Sequence, residues 1–146
     1  MTLGYHRHQK GALMSDFIPT AYVKTNCPFS FKFRLFALEA GLADRFEFVE
    51  LDVDAPRHAD DKADLKRRVG RSHMFPIVEI AEGAFMDDSD LLIDHFAKLH
   101  AVDDRQLGTL NFYRDGLFPT FLEMFHILAT PLGWIARRGR KPKAFR

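Results

Sequence analysis

Cys27 is the one cysteine in a chain of 146 residues, and it lies in Lys24-Thr25-Asn26-Cys27-Pro28-Phe29-Ser30, between a β-prone run and a helical pattern. A thiol at the first turn of a helix meets the positive end of the macrodipole and backbone N–H groups without helical partners. Both favour thiolate over thiol. Nucleophilicity follows the thiolate fraction, so the placement points to a nucleophile. A lone cysteine is also an ordinary small core hydrophobe, and the exposure of Cys27 decides between the two. A second thiol one turn further on would resolve a mixed disulfide internally, but Ser30 stands there instead. Any redox cycle at Cys27 therefore borrows an external thiol, and in a reducing cell the abundant one is glutathione.

Other residues with chemical capacity are fewer. His6 and His8 are two steps apart, in a stretch that reads as a solvated arm. His126 sits in an aromatic-rich run as a packed or rim residue, or as a base if it reaches the thiol. No metal-ligand spacing or phosphate loop is present. The net charge of +1 gives no global attraction to nucleic acid. A single cysteine excludes a disulfide-stapled secreted scaffold, and the basic residues near the N-terminus precede no apolar segment of a signal peptide. The expected location is cytoplasmic.

With 47% hydrophobic residues the chain has enough apolar material for one ordinary core. Residues 1–19 show no period and end at Pro19, so they are expected to form a flexible arm. Residues 20–25 are β-prone and deliver Cys27 to a strand end. From Phe29 to Ala40, apolar residues at 29, 33, 36, 37 and 40 predict an amphipathic helix closed by Gly41. Residues 46–53 alternate as a strand, and residues 59–69 predict a solvated helix ending at Gly70, with Asp60, Asp61, Lys62, Arg67 and Arg68 as its wet face. A third strand follows from Phe75 to Ile80. Glu82-Gly83 turns into a fourth over 84–86, and Asp87-Asp88-Ser89 caps a helix with Leu91, Leu92, His95, Phe96 and Leu99 as its apolar stripe.

This β-α-β-α-β-β-α order, with Cys-Pro-Phe-Ser at the first strand-to-helix turn and a proline opening the third strand, resembles the thioredoxin fold of glutaredoxins and of the glutathione S-transferase N-terminal domain. The expected class is α/β, a three-layer thioredoxin-like domain over 20–100 with a C-terminal helical extension over 101–146. The Lys24 to Ser30 segment is similar to the monothiol glutaredoxin and omega-class transferase site. Met74-Phe75-Pro76 takes the place of the family's cis-proline, where the preceding residue pairs its backbone with the glutathione cysteinyl unit. Glu82-Gly83, Met86, Asp88-Ser89, Leu92 and Phe96 are similar to the transferase pattern whose acid and serine hold the γ-glutamyl group at a helix N-terminus. Asp88 stands where Glu is usual, and Phe75 where Val is commoner.

The resemblance implies Cys27, Ser30 and Lys24 as catalytic residues. It implies Lys24, Pro28, Phe29, Phe75, Pro76, Asp88 and Ser89 as glutathione contacts, with Lys24 meeting the glycine carboxylate and favouring the Cys27 thiolate. Ser30 is read as a weak donor to the Cys27 sulfur or as a first-turn residue. Asp88 and Ser89 also suit plain capping. The expected reaction is glutathione-dependent thiol transfer to a disulfide, or conjugation of an electrophile. Full transferases continue into a larger helical domain, so the electrophile pocket is expected to be incomplete in this chain alone.

Residues 107–115 are weakly helical, and residues 117–136 are strongly apolar but broken by Pro119, Pro131 and Gly133. The last ten residues hold six Lys and Arg and no acid. Packing of this tail on the domain, a homodimer, and a weak membrane-surface contact through the basic end are the readings it permits. The alternatives to an enzyme are a non-catalytic glutathione-binding or docking module and, last, an iron–sulfur carrier.

Overall fold

A computed structural model describes residues 17–129. The arm with His6 and His8, and the basic end with Pro131, Gly133 and the membrane contact expected of it, lie outside the described residues. The strands are β1 (Thr20–Lys24), β2 (Glu47–Leu51), β3 (Ile77–Ala81) and β4 (Ala84–Asp87), in the sheet order β2-β1-β3-β4. β1 runs parallel to β2 and antiparallel to β3, and β3 runs antiparallel to β4. Helices α1 (Pro28–Glu39), α2 (His58–Val69) and α3 (Ser89–Leu99) complete the expected three layers.

Alternation assigns the two faces of β1. Ala21 and Val23 are buried, and Ala21 joins a core with Phe33, Phe36 and Ala37 of α1 and Leu92, Ile93 and Phe96 of α3. Phe96 meets Phe46 edge to face at 4.7 Å, and Phe33 meets the same ring at 5.4 Å. Each fully buried side chain of this kind contributes about 1.5–3 kcal/mol. The other face carries Tyr22, opposite Ile77, and is covered by α2 through its one buried residue, Leu65. Gly70 ends α2 at φ +70°, the left-handed position that glycine adopts without a Cβ penalty.

Two helical readings need correction. The buried stripe of α3 is Ser89, Leu92, Ile93, Phe96 and Ala97, whereas Leu91 and Leu99 are exposed. The cap at Asp88 starts the helix without choosing its buried face, and packing against the sheet turns Ile93 rather than Leu91 inward. Arg68 lies on the exposed face as expected, and from there its guanidinium donates to the Tyr22 hydroxyl and, at 2.6 Å, to Glu79. In α1, Phe29 leaves the core stripe to pack edge-on against Phe118 at 5.1 Å. Lys32 takes a buried place at 1% exposure, its Nζ 2.9 Å from both carboxylate oxygens of Asp90 and 4.2 Å from the Phe118 ring centroid.

The tail forms α4 (Gly108–Phe112), a π-helical turn (Tyr113–Leu117) and α5 (Phe118–Ala129) in one continuous run. Pro119 does not break it. A proline ring clashes with the carbonyl four residues earlier in a regular helix, and the wider π turn just before α5 makes room for it. Leu110, Tyr113 and Phe118 are buried. Glu39, at the end of α1, caps α4 by accepting from the Thr109 N–H at 2.9 Å and the Leu110 N–H at 2.7 Å. No helix among the described residues is long and apolar enough to cross a membrane.

The Glu39 cap makes the tail acid-sensitive. The Thr109 amide, joined by Leu110, holds the Glu39 carboxyl below its ordinary value. Its contribution is complete above that ordinary value and is lost as pH falls through the lowered folded one. Measured against the intrinsic rate at each pH, amide exchange at Thr109 and Leu110 should lose protection at neutral pH in Glu39→Ala, and in the wild type only in acid. Equal exchange in the two proteins at neutral pH would refute the cap.

Candidate functional site

The sheet order brings three chain segments to one edge. Cys27 follows the carboxyl end of β1, Phe75-Pro76 precedes the amino end of antiparallel β3, and Asp88 follows the carboxyl end of β4. The register sets Ile77 opposite Asp87, so Pro76 and Asp88 flank the same end of the hairpin. The Phe75–Pro76 peptide is cis, as the resemblance implied. The Cys27 sulfur lies 3.9 Å from the Phe75 carbonyl oxygen.

Cys27 is half-buried and is the N-cap of α1, in an extended conformation at φ −109° and ψ 112°. Its carbonyl accepts the Phe31 N–H at 3.0 Å, but its sulfur takes no capping hydrogen bond from the helix amides. What the α1 terminus offers the thiol is therefore the field of its dipole rather than a direct bond. Of its two expected roles Ser30 keeps that of a first-turn residue, and no bond from it to the Cys27 sulfur is present among the described residues. It is buried, and its hydroxyl accepts the Lys24 N–H at 3.1 Å, which ties the strand end to the first turn of α1 across the loop that holds the thiol.

Cys27 opens into a cleft of about 680 Å³. Lys24, Pro28 and Ser30 line it with Cys27, and Arg34 and Glu50, paired with each other, close one side. The Lys24 ammonium forms no ion pair among the described residues. The opposite wall is apolar and comes from the tail, with Tyr113, Leu117, Phe121 and Met124. Chain 85 residues downstream of the thiol loop thus supplies an apolar wall of the cleft. His126 is exposed and outside this wall, so it is no base for Cys27.

The remaining expected glutathione contacts lie outside the cleft. Phe29 is turned to Phe118, which leaves its glutathione role without support. Asp88 has φ +81°, a strained value of the kind kept at ligand clamps, and its carboxylate accepts from the Asp90 N–H at 2.9 Å and the Leu91 N–H at 3.3 Å. It is therefore occupied as a helix cap, and Ser89 behind it is buried.

Sequence reasoning missed Asp87 and Tyr113. Asp87 accepts from Arg71 at 2.7 Å and from the Met74 N–H at 2.9 Å, and so pins the loop that leads into Pro76. The Arg71 guanidinium holds the Asp87 carboxyl below its usual value. The sequence marks Asp87 only as a neighbour of the cap at Asp88, and its place opposite Ile77 belongs to the register, which carries no signal in the sequence. Tyr113 is buried, and its hydroxyl donates to the Pro28 carbonyl at 2.9 Å. Burial first, and then the negative charge of Cys27, push its phenol up to about 12.

Two consequences can be measured. Ser30→Ala strands a part-buried Lys24 N–H and should lower stability by about 1–2 kcal/mol in denaturant titration, where a loss near zero would remove Ser30 from the loop's support. Tyr113 in the unfolded chain ionises near pH 10, whereas in the folded chain it keeps its proton until about 12. Its contribution is therefore whole below the first value and is lost between the two as pH rises. Tyr113→Phe should lose less stability over that alkaline window than the wild type does.

Comparison with known families agrees with this architecture. No curated protein matches the chain. The family model of the glutathione S-transferase N-terminal domain matches residues 26–99, about half of the chain, from the thiol loop through α3. The chain belongs to the glutathione S-transferase N-terminal domain family, with a thioredoxin-like fold.

Proposed function

We propose that the protein is a glutathione-dependent thiol transferase in which Cys27 is the nucleophile. The observation that carries this reading is the half-buried Cys27 at the start of α1, opening to a cleft beside the cis Phe75–Pro76 peptide. In the first step the Cys27 thiolate attacks the glutathione sulfur of a mixed disulfide. The S–S bond breaks, the substrate leaves as a thiolate that takes a proton from water, and Cys27 carries the glutathionyl group. In the second step a glutathione thiolate attacks that group, regenerates the Cys27 thiolate and leaves as oxidised glutathione. Ser30 is too buried and too committed to Lys24 to act as a resolving group, which suits a cycle with an external thiol.

Lys24, a cleft cation with no ion pair among the described residues, is assigned to the glycine carboxylate of glutathione. The Phe75 backbone is assigned to its cysteinyl unit, and Asp88 with Ser89 to its γ-glutamyl group. Asp88 reaches that group only by sharing the carboxylate that now caps α3. The apolar tail wall suits a second substrate with an apolar body, and with an electrophile in place of a disulfide the same site performs conjugation. A reducing cytoplasm supplies the glutathione that this cycle consumes.

Oxidised glutathione should form a mixed disulfide at Cys27, detected by mass spectrometry, and glutathione with a small hydroxyethyl disulfide should support turnover coupled to glutathione reductase. Cys27→Ser should abolish both. Lys24→Ala should raise the KM for glutathione about ten-fold, the worth of one charge-assisted contact, with kcat little changed. Absence of both the adduct and turnover in the wild type would defeat the reading.

A further inference from the structure

We propose that Tyr113 is a positioning residue for Cys27, a clamp from the tail that fixes the first turn of α1 and thereby the presentation of the thiol to the cleft. The proposal rests on the reading of Cys27 as the nucleophile. Tyr113 is 3% exposed, and its hydroxyl donates at 2.9 Å to the carbonyl of Pro28, the residue that directly follows the thiol. A bond from outside the helix at this position removes freedom that a helix end otherwise keeps, because the first turn lacks the ladder bonds of the interior.

The ring is held as firmly as the hydroxyl. Its centroid is 5.0 Å from Phe31 and 5.8 Å from Phe118, so it does not swing away without opening a void. Phe118 extends the grip to Phe29 and to the Lys32 ammonium. Two tail side chains thus hold Pro28, Phe29, Phe31 and Lys32, and Ser30 between them is bonded to the Lys24 N–H. The clamp works in every state of the thiol, since the Tyr113 hydroxyl keeps its proton at neutral pH and remains a donor whether Cys27 is charged or not. It also bears on substrate, because Tyr113 lines the cleft that Cys27 faces and material seated against the tail wall presses on the residue that sets the thiol.

The test is alkylation of Cys27 by iodoacetamide across mildly acidic to mildly alkaline pH, in the wild type, Tyr113→Phe and Leu110→Val. Tyr113→Phe keeps the ring and removes only the donor. Leu110→Val loosens the same tail in its buried core and leaves the donor in place. The expected result is that Tyr113→Phe slows alkylation at neutral pH about five-fold, the size of one lost hydrogen bond, and displaces the pH profile, while Leu110→Val lowers thermal stability and leaves the profile unchanged. An unchanged profile in Tyr113→Phe, or an equal displacement in Leu110→Val, overturns the proposal and leaves Tyr113 as packing. Alkylation needs neither glutathione nor a second substrate. A displaced profile in a protein that transfers no thiols therefore upholds the clamp and sinks only the functional reading.

Discussion

The first turn of α1 is where the fold's demands converge. A helix start leaves amides without partners and a chain direction poorly fixed, yet this one must hold a thiol at a defined place beside the Phe75–Pro76 peptide. Three fixings act on it from different directions. Ser30 ties it back to β1 through the Lys24 amide, Tyr113 holds it from the tail through the Pro28 carbonyl, and Phe118 packs on Phe29. Each of the three supplies one hydrogen bond or one aromatic contact. Together they convert a frayed end into a rigid edge, which is the condition for any group at that edge to react selectively.

Lys32 shows how the same region tolerates a charge. An ammonium at 1% exposure is expensive unless its charge and donors are met. Asp90 meets it with both carboxylate oxygens, and the Phe118 ring supplies a π face at 4.2 Å. Asp90 is itself 65% exposed, so the pair straddles the boundary between interior and solvent and the desolvation cost falls mainly on the lysine. The arrangement joins α1, the first turn of α3 and the tail at one point. Removing the tail from this point would expose the lysine and two aromatic rings together.

The order of elements was legible because each boundary carries its own local chemistry. Gly70 marks the end of α2 with a left-handed residue, Asp88 caps α3, and the Glu82-Gly83 turn joins two strands. Helix phase was less legible. Leu91 and Ile93 are equally apolar and two residues apart, and only packing against the sheet chose Ile93. Pro119 reads as a break because proline opposes a regular helix, and the π turn that admits it has no sequence signature.

The sequence by itself determined that Cys27 would sit at a strand-to-helix turn, with no second cysteine and with Ser30 one turn on, because those facts depend on residues adjacent in the chain. Local spacing fixes local conformation. Only the tertiary structure decided that Ser30 bonds the Lys24 amide rather than the sulfur, that Lys32 is buried and paired with Asp90, that Glu39 caps α4, and that Tyr113 walls the cleft. Each of the last three joins residues 58 to 86 positions apart, a separation over which no periodicity or motif carries information. Such contacts arise when helices choose their packing faces, and that choice is made by the whole core at once.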